Sequence, residues 1–354
     1  MAVLKDFAIY FDQPFAVYYP GQFVSGYVVV QLDQGSINIT GIKLHAYGRG
    51  YTRILANFRN GTFDVDSNQG VECDEYLDRI EYIYGEGRKF LMPVGRHHLK
   101  FKFQLPYNML PSSYEGGVNC YIRYTITATM IRPWAYDYIT TKAFTILEKI
   151  DINLPDLKVL AGSEDFVSGS GCFSCLSTPI KLSATTDRTG YCSGENIKVC
   201  ISIENTARKR LREVVIKLIQ NVMFIANDLV WNNQKVYEKI RINNITKTGD
   251  RIEWTDQLIP IPCLPPSSKA CRTIRLHYAI YVKATVWNGY NLTVKIPIVI
   301  GTKPLQDMFE TNGSDAVYKY RDCIDGKIDF LRKDSQQYFI GNHTFVPQYP
   351  FIVS

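Results

Sequence analysis

The chain has 354 residues, of which 46% are hydrophobic and 21% charged, and a formal net charge of +6. That length accommodates two domains of ordinary size, each with its own core, and the balance of apolar to charged residues excludes a disordered chain. So mild a positive excess is far from a nucleic-acid footprint but compatible with an anionic membrane surface.

The opening Met1-Ala2-Val3-Leu4-Lys5-Asp6 lacks the charged start and long apolar core of a signal peptide. No apolar run reaches the length of a bilayer span. The nine cysteines are odd in number and lie mostly inside strand-like runs. Reduced thiols and a cytoplasmic location are therefore expected, with association to the plasma membrane or endosomes left open. Sequons such as Asn38-Ile39-Thr40 and Asn291-Leu292-Thr293 then read as chance occurrences.

In chain order, Asp33-Gln34-Gly35-Ser36 is the first strong turn cluster. Ile122, Tyr124, Ile126, Ala128 and Met130 alternate with Arg123, Thr125, Thr127 and Thr129, the pattern of a strand with one buried and one wetter face. Val167-Ser168-Gly169-Ser170-Gly171 is small and flexible, and places the domain boundary within 163–177. Ile197, Val199, Ile201 and Ile203 alternate in the same manner, as do Ile274, Leu276, Tyr278, Ile280 and Val282. The last such strand runs from Leu292 to Ile300. Beyond Gly301 the periodicity weakens, which predicts an extended tail or an arm docked on a domain. Helical spacing is missing from the body. The reading is all-β: two tandem immunoglobulin-like β-sandwiches at 1–155 and 178–301, a linker at 156–177 and a short tail at 302–354.

The chain also repeats itself. Leu110-Pro111-Ser112-Ser113 followed by Ile122-Arg123-Tyr124-Thr125-Ile126 returns as Pro265-Pro266-Ser267-Ser268 followed by Leu276-His277-Tyr278-Ala279-Ile280. Tyr19-Pro20-Gly21-Gln22 returns as Tyr191-Cys192-Ser193-Gly194-Glu195, and Ile42-Lys43-Leu44 as Ile216-Lys217-Leu218. A unit this long is a whole domain, so two copies of one module are expected.

No reactive constellation emerges. The chain has no Gly-x-Ser-x-Gly elbow, no His-Glu-x-x-His helix and no phosphate-cradling glycine loop. His97 and His98 lie in a strand approach, and His277 falls on the polar face of its strand. Cys172-Phe173-Ser174-Cys175 is half of a four-cysteine zinc site without a second half, so free linker thiols are expected there, with reversible acylation as a further use. No enzyme, cofactor or metal is predicted. Arg208-Lys209-Arg210-Leu211-Arg212 falls at a turn of the second module. Arg208, Lys209, Arg210 and Arg212 could meet an anionic lipid or a phosphate, each contributing about 1 kcal/mol near a charged surface. Glu204 and Glu213 flank the run, and a solvated hairpin tip is the plain alternative.

Val17-Tyr18-Tyr19-Pro20-Gly21-Gln22-Phe23-Val24-Ser25-Gly26, the segment from Leu105-Pro106 to Gly116, Arg132-Pro133-Trp134 and Asp151-Ile152-Asn153-Leu154-Pro155 resemble the N-terminal domain of the α-arrestins, the arrestin-domain-containing proteins. In the second half, Asp187 to Glu195, Ile203-Glu204-Asn205-Thr206 and Ile298 to Leu305 resemble the family's C-terminal domain. The resemblance covers roughly residues 5 to 305 and accounts for the duplication, because arrestins are two similar sandwiches.

It implies a cytoplasmic adaptor that binds the tails of membrane proteins in protein transport and endocytosis, with ubiquitin-dependent trafficking through WW-domain ligases. A cargo-sorting subunit of a retromer-like coat is the alternative. The family meets WW domains through Pro-Pro-x-Tyr motifs, in which two prolines pre-set a polyproline II helix and the tyrosine fills the next pocket. Here Val346-Pro347-Gln348-Tyr349 keeps the tyrosine with a single proline, and is either that partner site or a docking strand. Two family properties are not implied. Ile9-Tyr10-Phe11-Asp12 lacks the first-strand lysine pair of the phosphate-sensing members, and Lys247-Thr248-Gly249-Asp250-Arg251 lacks the thiol with which one branch binds thioredoxin. Peptide capture on a sheet edge or in the concave face is the expected mechanism.

Overall fold

A computed structural model describes residues 3–55, 69–107, 110–167, 180–206, 209–243, 245, 250–287, 291–306, 317–329, 338–340 and 344–353. The first half contains β1 (Val3–Phe11), β2 (Val17–Tyr18), β3 (Phe23–Gln34), β4 (Ile37–Ile39), β5 (Gly41–Leu55), β6 (Gln69–Tyr84), β7 (Phe90–Met92), β8 (Gly95–Gln104), β9 (Tyr114–Glu115), β10 (Cys120–Ile131) and β11 (Tyr138–Ile146). After the short helix α1 (Pro155–Lys158) come β12 (Ala161–Val167), β13 (Ile180–Thr186), β14 (Gly190–Cys192), β15 (Asn196–Glu204), β16 (Leu211–Ala226), β17 (Leu229–Asn243), β18 (Arg251–Pro260), β19 (Ile274–Val286) and β20 (Asn291–Gly301). The C-terminal arm adds β21 (Val317–Asp322), β22 (Ile328–Asp329), β23 (Tyr338–Phe339), β24 (Thr344–Phe345) and β25 (Gln348–Val353).

Each half is a two-sheet sandwich. The first stacks β1-β3-β8 on β2-β11-β10-β5-β6, and the second stacks β12-β13-β15-β18 on β14-β20-β19-β16-β17. The period-two pattern sets which face is buried. Ile122, Tyr124, Ile126, Ala128 and Met130 lie in the first core, while Arg123, Thr125, Thr127 and Thr129 face outward. Burying one such side chain as large as Ile126 contributes about 1.5–3 kcal/mol.

The duplication extends to individual hydrogen bonds. Tyr124 Oη donates to the Pro111 carbonyl at 2.9 Å, and Tyr278 Oη to that of Pro265 at 2.6 Å. Ser113 Oγ accepts from the Ile146 amide and Ser267 Oγ from the Ile300 amide, both at 3.0 Å. These bonds shift the correspondence expected from the repeated letters by one residue: Ser113 corresponds to Ser267, not Ser268, and Pro111 to Pro265. The matching Leu-Pro-Ser-Ser and Pro-Pro-Ser-Ser strings misled, because the bonds follow the spacing to the tyrosine rather than the letters.

Gly21 and Gly194 occupy equivalent turns with φ of +82° and +94°. In each turn the next residue caps the amide three positions back: Gln22 Oε1 accepts from Tyr19, and Glu195 Oε2 accepts from Cys192. The short strands β2 and β14 then pair in parallel with β11 and β20.

The linker differs from expectation. Ala161–Val167, placed in a linker by its small residues, pairs along its length with β13 as an edge strand of the second domain. Its alternation is too short and too polar to stand out without the partner strand. Residues 168–179, with Cys172 and Cys175, lie outside the described residues, as do Arg208 and 247–249.

The two domains share a continuous apolar seam. Val222, Phe224, Cys271, Ile274 and Leu276 of the second domain belong to the same buried cluster as the first domain's core. Gly50 permits the approach, since a Cβ there would stand 2.8 Å from Cys271 Sγ.

Candidate functional site

Polar groups fix the seam. Glu148 Oε2 accepts from Ser268 Oγ at 2.5 Å, its amide donates to Ser112 Oγ at 2.9 Å, and its carbonyl accepts from Thr302 Oγ1 at 2.7 Å. Burial pushes the Glu148 carboxyl above the usual range, partly offset by Ser268. Nearby, the Arg272 guanidinium grips Asp74, with Nε 2.8 Å from Oδ1. Lys303 Nζ stands 2.6 Å from Asp151 and, with Asn153, holds that carboxyl down at about 2. A hinge held by this many directional bonds has a defined angle.

The arm closes over this seam and bonds to both domains. Tyr349 is buried, and its Oη donates to the Ser113 carbonyl of the first domain at 2.7 Å. The Ile352 amide donates to the Ser193 carbonyl of the second at 2.9 Å, and Gln348 N to Thr145 Oγ1 at 3.2 Å. Lys235 of β17 reaches Asp325 at 2.5 Å. Strand β25 pairs antiparallel with β21, while β23 adds in parallel to the start of β11. Of the two readings left open for the tail, the docked arm is the observed one. Within Val346-Pro347-Gln348-Tyr349, Pro347 and Tyr349 are buried, so in this state neither ring is available to an aromatic groove.

Where the arm crosses β9, Gly326 packs against Glu115. The Glu115 carboxylate is held by Arg123, with Nε to Oε1 2.6 Å, but burial outweighs that pairing and pushes the acid up to about 7. An acid whose folded pKa is raised binds more protons folded than unfolded, so stability increases as pH falls through about 7 and levels off below the unfolded value near 4.5. Relative to wild type, Glu115→Gln should flatten the stability profile between pH 8 and 5, by at most about 3 kcal/mol. Urea denaturation at each pH measures it, and an unchanged slope would show that Glu115 does not titrate there.

A groove of about 520 Å³ runs between β1 and β11, lined by Ala8, Ile9, Tyr10, Thr141, Lys142 and Val346 among others. Strand β1 pairs only with β3 among the described strands, and the outer edge of β11 is engaged only at its ends, by β2 and β23. Among the described strands none pairs with either edge between those contacts. Lys142 is exposed there, with Nζ 5.4 Å from the centre of the Tyr10 ring and 5.6 Å from that of Phe11. Desolvation lowers its pKa. Sequence reasoning missed Lys142, because a single lysine in Thr140-Thr141-Lys142-Ala143 carries no spacing signal, and only the fold sets it opposite β1.

At the far end of the second domain, Asn205 shapes the basic turn, its side chain donating to the Lys209 carbonyl at 2.7 Å and accepting from the Lys209 amide at 2.9 Å. Lys209, Arg210 and Arg212 are exposed, and Arg210 lies over the Trp287 ring at 5.3 Å. The turn and the arm are thus separate sites. Among the described residues no three His, Cys, Asp or Glu side chains come together as a metal site. No described helix is long and apolar enough to cross a membrane.

Comparison with known proteins agrees with the architecture. The family model described as "Arrestin (or S-antigen), N-terminal domain" matches residues 7–153, and that of the C-terminal domain matches 177–305. The chain is 28% identical over 315 residues to arrestin domain-containing protein 4 of Mus musculus, covering 87% of this chain and 74% of that protein. It is 27% identical over 316 residues to arrestin domain-containing protein 17 of Caenorhabditis elegans, covering 86% and 72%. Thioredoxin-interacting protein of Sus scrofa is 28% identical over 315 residues, covering 85% and 75%. Two tandem arrestin sandwiches, matched domain by domain, make this chain a member of the arrestin family in its α-arrestin branch.

Proposed function

We propose that this arrestin-family adaptor captures extended segments of membrane-protein tails in the groove between β1 and β11, and acts in the cytoplasm in protein transport and endocytosis. The observation that carries the reading is the pair of open strand edges with an exposed lysine, set beside the Tyr10 and Phe11 rings, between them. An incoming strand would satisfy the unpaired main-chain groups, and an acidic or phosphorylated side chain would complete the Lys142 ammonium. Lys209, Arg210 and Arg212 would steer the molecule to anionic membrane. Recruitment of a WW-domain ligase through Tyr349 would first require the arm to leave its dock. The coat-subunit alternative receives no separate support from the geometry.

Proximity labelling in cells tests the proposal with wild type, Lys142→Glu and a chain truncated after Leu305. Membrane cargo should be recovered with wild type and fall about tenfold with Lys142→Glu, the loss expected of one charge-assisted hydrogen bond. Equal recovery would remove the groove as the capture site. Ligases recovered with wild type and absent after truncation would assign that role to the arm.

A further inference from the structure

Seven free cysteines lie among the described residues, and two of them pack into one cluster at the junction between arm and second domain. Cys263 follows β18 in Ile261-Pro262-Cys263-Leu264, and Cys323 follows β21 on the arm. The amide of Ile324 donates to the Cys263 carbonyl at 3.2 Å, which sets the two backbones side by side at this point. Cys263 Sγ donates back to the Arg321 carbonyl at 3.3 Å, so the sulfur points along the arm segment that carries Cys323. Both residues pack into one small cluster with Val17, Leu147 and Tyr349. A disulfide needs α-carbons within about 4.4–6.8 Å, the spacing that neighbouring bonded backbones provide.

We infer that Cys263 and Cys323 form a disulfide under oxidising conditions, a covalent latch that fastens the arm to the second domain. The docked thiols are shielded: burial pushes Cys263 up to about 11 and Cys323 up to about 12. Oxidation is therefore gated by transient lifting of the arm. Once exposed, the Cys323 thiolate attacks glutathione disulfide, forming a mixed disulfide and releasing one glutathione thiolate. As the arm returns, the Cys263 thiolate attacks the Cys323 sulfur and expels the second glutathione. Two protein thiols become one cystine, one glutathione disulfide becomes two glutathiones, and the two thiol protons pass to the departing thiolates. The bond closes a loop of roughly sixty residues, which restricts the open arm more than the docked one. Oxidation would hold Pro347 and Tyr349 under cover, and reduction would free the arm to open.

The full-length protein is incubated with glutathione disulfide, free thiols are blocked, and tryptic peptides are mapped by mass spectrometry without reduction. The expected result is a peptide linking Cys263 to Cys323 as the main intramolecular disulfide. Trypsin should then cut several-fold more slowly at Lys319, Arg321 and Lys327 in the oxidised protein than in the reduced one. Cys263→Ser and Cys323→Ser should each abolish both effects. Mixed glutathione disulfides without the linked peptide, or linkage dominated by other cysteines, would overturn the inference. The mapping is done on wild type, so it stands even where a serine variant folds poorly. Slowing that persists in Cys323→Ser would also overturn it.

Discussion

Replacing Tyr349 with alanine should release the arm from the seam. The side chain is fully enclosed, and truncating a buried aromatic to alanine costs about 3–5 kcal/mol. That loss falls on a segment held by one short strand, a few hydrogen bonds and a small apolar cluster, rather than on a domain core. Limited proteolysis should cut between β21 and β25 far faster in Tyr349→Ala than in wild type, while both sandwiches stay protected. Tyr349→Phe keeps the packing and loses only the bond to the Ser113 carbonyl, at a cost of about 1–3 kcal/mol, so it should fall between the two. Equal proteolysis of all three proteins would show that Tyr349 does not anchor the arm.

Gly194→Ala should have a comparable effect from the opposite side of the contact. Its φ of +94° already disfavours any side chain, and a Cβ there would stand 2.1 Å from the Ile352 carbonyl oxygen. Backbone cannot move aside as a side chain can, so β25 must lift from Ser193. Hydrogen exchange measures this directly: the Ile352 amide, bonded to the Ser193 carbonyl in wild type, should lose its protection. Gly21→Ala is the matched control. It sits at the duplicated turn with φ of +82°, but the nearest atoms to its Cβ would belong to the exposed, movable ring of Tyr107, at 2.7 Å. That variant should cost about 1–2 kcal/mol of backbone strain and leave the arm docked. Retained protection of Ile352 in Gly194→Ala would mean that the arm tolerates the displacement.

Much of the fold was legible because it is written in local patterns. Alternation along Ile122–Met130 and Ile197–Ile203 exposes one face of each strand to the core, and that face is a property of spacing alone. The paired turns around Gly21 and Gly194 were visible as repeated letters, since a left-handed turn restricts which residue can occupy it. The offset of the Pro-Ser-Ser loop was not, because either serine fits the string and only the bond from Ile146 or Ile300 selects one. Strand β12 was missed because an edge strand with one partner needs little apolar patterning of its own.

The residues that make the candidate sites belong to a different class. Tyr349 reads as half of a peptide motif, and becomes an anchor only because the carbonyl of Ser113, more than two hundred positions earlier, lies beneath it. Lys142 acquires its place beside the Tyr10 and Phe11 rings from β1 across the groove, and Cys263 its neighbour from an arm that returns from the far end of the chain. Two duplicated β-sandwiches and their family can be read along the chain, because periodicity and turn chemistry act within a few residues. The dock, the groove and the thiol pair cannot, because each depends on groups brought together by folding between segments that share no local pattern.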